Sequence, residues 1–495
     1  MPLWGHEVSH VFRSRRRRGR HLLLSARGGR GVSGFLVLRR VLVANRGEIA
    51  VRVIRTCRRL GIETVLTVSD ADAGALPARL ADRVIRIGPG PATASYLDVG
   101  AVVGAAVAAR ADAVHPGYGF LSENARLARA CAAAGIVFVG PDPATLEATG
   151  DKLAAREHAV AAGLPVLPGG HVTLPVGGPA DLAGRIGYPV LVKAAGGGGG
   201  RGLRVVRDPA ELDQAVTLAS AEAAAAFGDP RVYLERYVER GRHVEVQLLG
   251  DGERVIHLGD RDCSVQRRYQ KLIEEAPAPG LDDDLRERLR AAAVSLGERL
   301  RYRGAGTVEF LVDDARGEFY FLEVNARVQV EHPVTEAVTG IDIVAEQFAI
   351  AEGRPLSARQ ADIGLTGHAI EVRLNAEDPD HGFRPSPGTV TRAVWPAGDG
   401  VRVDTHIQAG ASVPPYYDSL LAKVIAHAVD RDGARKTLAD ALDRCAVDGV
   451  ATNLGLHRAL LADAGFGRGG VDTGYLARWL AHRREEPATG EGGDG

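Results

Sequence analysis

Residues 305–336 contain AGTVEFLVDDARGEFYFLEVNARVQVEHPVTE, in which two apolar-rich segments flank DDARG. A five-residue loop with Gly between two such segments predicts a β-hairpin. With the turn centred on Arg316, Glu309 falls directly opposite Glu323. Like charges directly across a ladder are destabilising, so this pair is expected to need a cation. Two carboxylates on one face, with Asn325 two residues further on, offer the oxygen ligands that Mg²⁺ prefers. Two solvated glutamates on an outer sheet face are the alternative, which the apolar flanks disfavour.

The polar alternation of the second strand continues to Glu331. If the strand stays extended, one face carries Glu323, Asn325, Arg327, Gln329 and Glu331. Such a row spans roughly 26 Å at ~3.3 Å per residue, so it would hold metal ligands at one end and acid, base and cation groups at the other. A solvated edge strand is the alternative, although such strands more usually carry Lys, Thr and Ser.

A glycine tract lies upstream, in KAAGGGGGRG (residues 193–202). It joins YPVLVK to GLRVVR, so its flanks favour a hairpin-like flap over the alternative of an interdomain linker. Without Cβ atoms, the backbone N–H groups of such a loop can approach a phosphate closely. Lys193 at its root would add a positive charge. The tract is not a Walker A motif, which needs GxxxxGK[ST] opening a helix. We predict a nucleotide-covering lid.

A third stretch, RDCSVQRRYQKLIEEAPAP (residues 261–279), contains a basic turn. It places Arg267, Arg268 and Lys271 close to Gln266. A basic turn is more often part of the surface than of a site, so this stretch alone indicates little.

The N-terminal part is predicted to be α/β with a parallel sheet, to about residue 150. The apolar run Val41–Ala44 precedes a helical stripe from Ile49 to Cys57, which Gly61 ends. A second such unit runs from ADAVHP to GIVFVG. Further on, QAVTLASAEAAAAF and EAVTGIDIVAEQFAIAEG (residues 336–353) are each predicted as one helix, and a final α+β portion begins near GHAIEVRL.

The composition is that of an ordinary globular protein, with 45% hydrophobic and 25% charged residues and a formal net charge of −1. Nothing global therefore indicates nucleic acid or a membrane, and no run of 18 apolar residues occurs. Residues 1–40 are rich in Arg, which suits a disordered extension or an over-called start better than a targeting or nucleic-acid arm. The 4 cysteines include no CxxC pair, as in a reduced cytoplasmic protein.

Taken together, the motifs resemble the biotin carboxylase family of the ATP-grasp superfamily. They are NRGEIA (45–50), HPGYGFLSEN (115–124), GDK (150–152), GGGGGRG (196–202), RHVEVQ (242–247), RDCSVQRR (261–268), EVNARVQVEHPVTE (323–336) and PPYYDSLLAK (414–423). The resemblance covers about residues 39–480. It implies an α/β fold in three parts, with a parallel-sheet domain, a small mobile ATP-grasp lid and a C-terminal ATP-grasp α+β domain.

We expect the parts of the chain to have the following bounds: an Arg-rich disordered extension (1–38), the N-terminal α/β domain (39–150), linker helices and lid (151–238), the C-terminal domain (239–483) and a disordered tail (484–495).

The resemblance also implies a function for individual residues. Contacts to the ATP phosphates fall on Lys152, Lys193, Gly199 and Gly200. The adenine pocket and ribose contacts fall on Glu235, Arg236, Tyr237, Val238, His243, Gln266 and Tyr269. Ligation of Mg²⁺ or Mn²⁺ falls on Glu309, Glu323 and Asn325. The bicarbonate and carboxyphosphate site falls on Lys271, Arg327, Gln329, Val330 and Glu331, and the biotin contact on Arg373. Tyr269 and Arg236 depart from the histidine and lysine common in the family, and both keep a hydrogen-bond donor.

The activity implied is ATP-dependent carboxylation of biotin on a biotin carboxyl carrier protein, with bicarbonate and a carboxyphosphate intermediate. Glu331 would be the base, while Arg327 and Arg373 would stabilise charge on the ureido oxygen. No Met follows position 1, so the Met-Lys-Met biotin-attachment core of multidomain relatives is missing. We predict a free-standing homodimeric subunit that works with a carrier protein and carboxyltransferase subunits, preferably of acetyl-CoA carboxylase.

Three alternatives stay open. A propionyl-CoA or mixed acyl-CoA carboxylase would use the same subunit chemistry. Another ATP-grasp ligase, joining a carboxylate to an amine, would not be expected to combine RVQVEHPVTE with RDCSVQRR. A catalytically silent nucleotide-binding subunit would be expected to lack Lys271, Glu331 or the metal pair.

Overall fold

The computed structural model describes residues 34–172, 178–195 and 203–485. Residues 36–495 form one unit, and only residues 34 and 35 of the other unit, 1–35, are described. The predictions for the Arg run, for the loop with Gly199 and Gly200 and for the tail from 486 onward therefore lie outside the described residues.

Within these ranges, five parallel strands form the first sheet, in the order β3-β2-β1-β4-β5. They are β1 (Arg40–Val43), β2 (Glu63–Ser69), β3 (Arg83–Gly88), β4 (Ala113–His115) and β5 (Val137–Phe138). The connecting helices are α1 (Gly47–Leu60), α2 (Leu76–Leu80), α3 (Val99–Ala109) and α4 (Ala125–Ala133). Helix α1 buries the predicted stripe and ends at Gly61, whose φ of 73° suits glycine. The predicted parallel α/β arrangement is confirmed.

A second sheet, over the described part of residues 169–236, has four antiparallel strands in the order β6-β9-β7-β8. They are β6 (Gly169–His171), β7 (Val190–Ala194), β8 (Arg204–Val206) and β9 (Val232–Arg236). The helices before and within this part are α5 (Pro143–Gly150), α6 (Lys152–Ala161), α7 (Gly178–Ile186) and α8 (Leu212–Phe227). Val190 lies opposite Val206, so the strands that flank the glycine tract pair with each other, as predicted.

The third sheet lies within residues 239–428 and has eight antiparallel strands, in the order β14-β13-β10-β11-β12-β15-β22-β20. The first six strands along the chain are β10 (Arg242–Asp251), β11 (Val255–Arg267), β12 (Gln270–Ala276), β13 (Arg303–Asp313), β14 (Glu318–Asn325) and β15 (His368–Asn375). The others, with short strands between and after them, are β16 (Glu377–Asp378), β17 (Arg384–Pro385), β18 (Gly388–Thr389), β19 (Arg392–Val394), β20 (Val401–Thr405), β21 (Ser412–Val413), β22 (Leu420–Ala428) and β23 (Ala446–Asp448).

Seven helices of residues 239–485 pack around this sheet or follow it. They are α9 (Asp283–Arg299), α10 (His332–Thr339), α11 (Ile343–Ala351), α12 (Arg431–Asp443), α13 (Leu454–Ala462), α14 (Ala464–Arg468) and α15 (Tyr475–Glu485). Among the described helices, none has the length and apolarity needed to cross a membrane.

The prediction of one helix over residues 336–353 was wrong. Helix α10 ends at Gly340, which has a φ of 71°, and the side chain of Asp342 accepts from the Ala345 amide to cap the start of α11. A left-handed glycine and an N-cap two residues later interrupt the helix, although the apolar pattern runs through both halves.

The prediction of an extended polar row from Glu323 to Glu331 was also wrong. Strand β14 ends at Asn325, opposite Thr307, and helix α10 begins at His332 with Pro333 in its first turn. Because residues 326–331 leave the sheet, the chain bends back there and the roughly 26 Å row does not exist.

Candidate active site

Three glutamates and an arginine form a row across four strands of the third sheet. Glu323 lies opposite Glu309, Glu309 lies opposite Glu245, and Glu245 lies opposite Arg261. The predicted pairing of Glu309 with Glu323 is confirmed. Sequence reasoning missed Glu245, although polar and apolar residues alternate around it in RHVEVQ just as they do around Glu323.

A bulge produces the pairing of Glu309 with Glu323. Near the turn, Phe310 lies opposite Phe321, a register that would place Leu322 opposite Glu309. Leu322 is instead the extra residue of a β-bulge, which shifts the strand by one position. The hairpin therefore turns half a residue earlier than predicted, and the bulge restores the predicted alignment at the carboxylates.

Lys271, on β12, supplies the ammonium group around which three carboxylates gather. Its Nζ donates to Oε2 of Glu245 at 2.6 Å, to Oε1 of Glu309 at 2.8 Å and to Oε1 of Glu331 at 2.7 Å. Burial would lower the pKa of Lys271, but the surrounding negative groups outweigh burial and raise that pKa well above its ordinary value. These carboxylates therefore favour the charged form of Lys271.

Glu309 is the most heavily bonded carboxylate of the row. Its Oε1 accepts from Nδ2 of Asn325 at 2.8 Å and from Nε2 of Gln329 at 3.2 Å. Its Oε2 lies 3.1 Å from Nε2 of His243. Burial would raise the pKa of Glu309, but the charges of Lys271 and His243 outweigh burial and lower it. The bend after β14 thus lets both Asn325 and Gln329 reach the carboxylate of Glu309. In the predicted extended row, Gln329 would have been held away from it.

The bend itself is held by Arg327 and Glu123. The guanidinium of Arg327 donates to Glu123 at 3.0 Å, to Oδ1 of Asn325 at 2.8 Å and to Oε1 of Gln329 at 2.8 Å. The Ala326 amide also donates to Glu123, at 2.9 Å. Arg327 is half-buried and lines the cavity described below, and these hydrogen bonds hold its guanidinium group.

Glu331 is fully buried at the N-cap of α10. Its Oε2 accepts from Nη2 of Arg373 at 3.0 Å, and its Oε1 from Lys271. Burial would raise the pKa of Glu331, but the charges of Lys271, Arg373 and Arg261 outweigh it and hold the pKa well below its ordinary value. The predicted base is thus an ionised carboxylate between two cations.

Two further predicted lysines also pair with predicted site carboxylates. Lys193, on β7, donates to Oε1 of Glu235 at 2.8 Å, and Lys152 Nζ lies 3.3 Å from Oε2 of Glu323. Lys152 is the first residue of α6, where the side chain of Asp151 caps the helix. Burial would lower the pKa of Lys193, but Glu235 outweighs burial and raises it.

These groups line one cavity of about 1090 Å³ between the second and third sheets. Of the described residues predicted for the site, all line it except Glu331, which Lys271 and Arg373 cover: Lys152, Lys193, Glu235, Arg236, Tyr237, Val238, His243, Gln266, Tyr269, Lys271, Glu309, Glu323, Asn325, Arg327, Gln329, Val330 and Arg373. The volume suits a nucleotide together with a smaller second ligand.

The cavity also has lining residues that sequence reasoning missed. Arg46 follows β1 and Tyr118 follows β4 of the first sheet, Tyr417 follows PPY, and Leu476 and Leu480 come from α15. The motifs NRGEIA, HPGYGFLSEN and PPYYDSLLAK contain the first three, so they could have been singled out there. Nothing in the local sequence distinguishes Leu476 and Leu480 from leucines of the core. Only the folded structure shows that they also line the cavity.

The row fits a hard divalent cation. Glu309 and Glu323 present carboxylate oxygens from directly opposed positions, and Asn325, whose amide oxygen accepts from Arg327, lies on the same strand as Glu323. Carboxylate and amide oxygens are ligands suited to Mg²⁺. The donor set is therefore consistent with the predicted metal ligands.

Family models match three consecutive parts of the chain. They are described as the biotin carboxylase N-terminal domain (residues 37–146), the carbamoyl-phosphate synthase L chain ATP-binding domain (151–359) and the biotin carboxylase C-terminal domain (371–478). With the three sheets and the lysine- and carboxylate-lined cavity, they define the class of the protein: it is an ATP-grasp ligase.

Similar proteins narrow this class. The chain is 52% identical over 447 residues to biotin carboxylase of Pseudomonas aeruginosa, covering 90% of this chain and 99% of that protein. It is 47% identical over 441 residues to one of the pyruvate carboxylase subunits of Methanothermobacter thermautotrophicus, covering 88% and 89%. The chain belongs to the biotin carboxylase family, the ATP-dependent component of biotin-dependent carboxylases.

Solved structures agree. A biotin carboxylase complex with β,γ-ATP from Campylobacter jejuni has a TM-score of 0.86 and 45% identity, covering 89% of this chain and 99% of that one. The biotin carboxylase domain dimer of 2-oxoglutarate carboxylase from Hydrogenobacter thermophilus, in complex with MgADP, ADP and bicarbonate, has a TM-score of 0.87 and 44% identity, covering 90% and 98%.

Proposed function

We propose that this chain carboxylates the biotin of a biotin carboxyl carrier protein, using ATP and bicarbonate through carboxyphosphate, as the biotin carboxylase subunit of an acetyl-CoA carboxylase. The observation that carries the proposal is the Lys271 ammonium group, which joins the metal-type carboxylate Glu309 to the buried Glu331. This contact supports the proposal, because it would hold a cation for anionic substrates between the bound nucleotide and the base.

Mg²⁺ or Mn²⁺, held by Glu309, Glu323 and Asn325, would neutralise charge on the ATP phosphates. In the structure these carboxylates contact Lys271 and Lys152. Lys152 and Lys193 reach the same cavity and would bind phosphate oxygens as mobile point charges. Phosphoryl transfer depends chiefly on positioning and charge neutralisation, which these side chains supply.

Glu331 would take the proton of bicarbonate. A carboxylate with so low a pKa is a weak base while Lys271 and Arg373 both bond to it. Bicarbonate is an anion, so it would draw Lys271 toward itself. Glu331 would then lose part of the field of Lys271, and its pKa would rise as the substrate binds. The bicarbonate oxygen attacks the γ-phosphorus, the bond to ADP breaks, and carboxyphosphate forms.

Carboxyphosphate then releases CO₂, and the freed phosphate takes the N1′ proton of biotin as the new N1′–carbon bond forms. Arg327 and Arg373 line the cavity and carry more N–H donors than their protein contacts use, so they would bind the developing ureido oxyanion. Tyr237, Val238 and Arg236 would receive adenine, with His243, Gln266 and Tyr269 toward the ribose.

The partners proposed are a separate biotin carboxyl carrier protein and carboxyltransferase subunits, with the chain itself as a cytoplasmic homodimer. The dimeric relative with MgADP and bicarbonate supports the ligands and the assembly. The acceptor is less sharply defined, because similar proteins serve pyruvate and 2-oxoglutarate carboxylases. Acetyl-CoA is proposed from the motif resemblance to a free-standing biotin carboxylase subunit, since the relatives named simply biotin carboxylase, at 47–52% identity, name no acceptor. Carboxylation of acetyl-CoA, propionyl-CoA and pyruvate by the complex purified with its own subunits distinguishes the three acceptors.

The test is bicarbonate-dependent ATP hydrolysis with and without free biotin, for wild type and Glu331→Gln. We expect biotin to stimulate the wild type, and the variant to lose about 100-fold or more of the stimulated rate. Glu287→Gln is the matched control, because Glu287 is 71% exposed on α9 and away from the cavity. A wild type without biotin stimulation refutes the proposal.

A further inference from the structure

Arg373 belongs to a layer of four charged residues in the third sheet. Glu274 on β12 lies directly opposite Glu371 on β15, and Arg373 on β15 lies directly opposite Lys423 on β22. Residues 371 and 373 are two apart, so all four side chains share one face of the sheet. The layer consists of a carboxyl pair beside a cation pair, each of which would be destabilising alone.

Arg373 is the cation of this layer that bonds to carboxylates. The guanidinium of Arg373 donates to Oε1 of Glu274 at 2.5 Å and to Oε2 of Glu331 at 3.0 Å. Lys423 donates to the Val330 carbonyl at 2.8 Å. Arg373 is thus fixed between two carboxylates, one behind it and one beneath the cavity, while its remaining N–H donors stay available to the cavity that it lines.

The carboxyl group of Glu274 is hydrogen-bonded to one side chain, that of Arg373. The side chain is completely buried, and among the described residues its Oε2 has no hydrogen-bond partner. Burying a carboxyl group costs free energy unless hydrogen bonds compensate for it, and Arg373 supplies the compensation here. A residue kept buried at such a cost, with Arg373 as its partner, is expected to act through Arg373.

We propose that Glu274 is the positioning residue for Arg373, holding its guanidinium so that the free donors face the ureido group of biotin. The inference rests on the proposed function, because it names the residue that orients a group of that site. Without Glu274, Arg373 would keep its bond to Glu331 alone and could rotate about it. Orientation would then be lost in the biotin step, while ATP and bicarbonate would still meet their own ligands.

The surroundings of Glu274 add a pH dependence. Burial raises the pKa of Glu274 to about 7. The charge of Arg373 acts in the opposite direction and lowers this pKa, whereas the charge of Glu331 raises it further. The groups that face it are Arg373 and Glu371 from β15, Lys271 from its own strand, Cys263 from β11 and Glu331 before α10. Above about pH 7, Glu274 is ionised and anchors Arg373. As pH falls through that range it takes up a proton, and the charge-assisted bond weakens.

The experiment compares Glu274→Gln with wild type in bicarbonate-dependent ATP hydrolysis, with and without biotin, at constant bicarbonate from pH 6 to 9. We expect the variant to lose about tenfold or more in kcat/KM for biotin at pH 8, and its rate without biotin to stay within about twofold. The acid limb near pH 7 in the biotin-dependent rate should appear in the wild type and disappear in the variant.

Glu371→Gln is the matched control, since it makes the same change at the neighbouring buried position whose oxygens both lack partners among the described residues. It should leave both rates within about twofold of wild type. Glu274→Asp keeps the charge and should retain the acid limb with a smaller loss, which tests the inference even where the Gln variant does not fold.

The proposal is overturned if Glu274→Gln keeps its kcat/KM for biotin, or loses the rates with and without biotin equally. An Asp variant with unchanged kcat/KM for biotin overturns it in the absence of a folded Gln variant. A wild type that biotin does not stimulate refutes the proposed function instead, so the two failures are distinguishable.

Discussion

Glu245 lies directly opposite Glu309 across strands β10 and β13, and both carboxylates bond the same ammonium group, that of Lys271. With Glu323 on the other side of Glu309, three like charges stand in adjacent register positions. Arg261 ends the row with a 2.5 Å bond to Glu245. Because cations hold these carboxylates together, stability and ligand binding share the same residues, and each substitution must be measured for both.

Replacing Lys271 should expose this link. Lys271→Met leaves Glu245, Glu309 and Glu331 buried without their common cation, so we expect the free energy of unfolding to fall by about 3–5 kcal/mol at pH 8. Biotin-stimulated ATP hydrolysis should fall at least about 100-fold. Denaturant unfolding and the ATPase assay measure the two effects. Lys436→Met, at an exposed position of α12, should change neither.

The stability loss of Lys271→Met should also depend on pH. In the wild type Lys271 helps to hold the pKa of Glu309 and Glu331 below the ordinary value. In the variant, burial acts on these carboxyl groups without that charge and raises their pKa, so the folded variant keeps protons that the unfolded chain releases and loses stability as pH rises above about 5. The difference between variant and wild type should therefore shrink from pH 8 to pH 5. A difference that stays constant would contradict the assigned charges.

The two metal-type glutamates should separate binding from stability. The side chain of Glu323 is 33% exposed, whereas that of Glu309 is 7% exposed and accepts from Lys271, Asn325 and Gln329. Glu323→Gln should raise the Mg²⁺ concentration for half-maximal activity with little change in Tm. Glu309→Gln should raise it too and also lower stability, by about 1–3 kcal/mol. Mg²⁺ titrations of ATPase activity and thermal unfolding test this, and equal Tm losses would refute it.

Glu371 should destabilise the protein increasingly as pH rises. Burial raises its pKa well above the ordinary value, against the charge of Lys423. The folded state then keeps a proton that the unfolded state releases above about pH 5, so stability falls with increasing pH by about 1.4 kcal/mol per unit in that window. Glu371→Gln cannot titrate, so its stability relative to wild type should grow from pH 5 to pH 8.

Denaturant unfolding at several pH values checks this prediction. Glu287→Gln, an exposed change on α9, serves as the control and should show no such trend. A pH-independent difference between Glu371→Gln and wild type would mean that Glu371 is ionised in the folded protein.

The alternation of polar and apolar residues predicted which side chains share a face within one strand. It identified the faces of Glu309 and Glu323, because side chains alternate with a period of two. It could not predict the bulge at Leu322, since a bulge depends on the fit of both strands. It also could not show where β14 ends, because the alternation continues through residues that no longer pair with another strand.

Sequence patterns also could not predict which strands that are distant along the chain pair with each other. Glu274 and Glu371 are neighbours because β12 pairs with β15, although almost a hundred residues separate them along the chain. The pairing brings together two carboxyl groups that look, in KLIEEAP and AIEVRL, like ordinary strand residues. Motif resemblance was informative for the cavity because it carries three-dimensional information that periodicity lacks.

Tyr269 should show a separation of stability from nucleotide binding. The turn between β11 and β12 has Arg267 opposite Gln270, and its two central residues, Arg268 and Tyr269, have φ of 47° and 67°. Such turns favour glycine, and a bulky residue there costs of order 1 kcal/mol or more. Tyr269→Gly should therefore unfold at no lower denaturant concentration than wild type. It removes a ring from the cavity wall, so KM for ATP should rise about fivefold or more. Tyr269→Phe keeps the ring, so its stability and its KM for ATP should stay close to those of wild type. A Gly variant that is less stable, with an unchanged KM for ATP, would show that the ring stabilises the fold and does not bind the nucleotide.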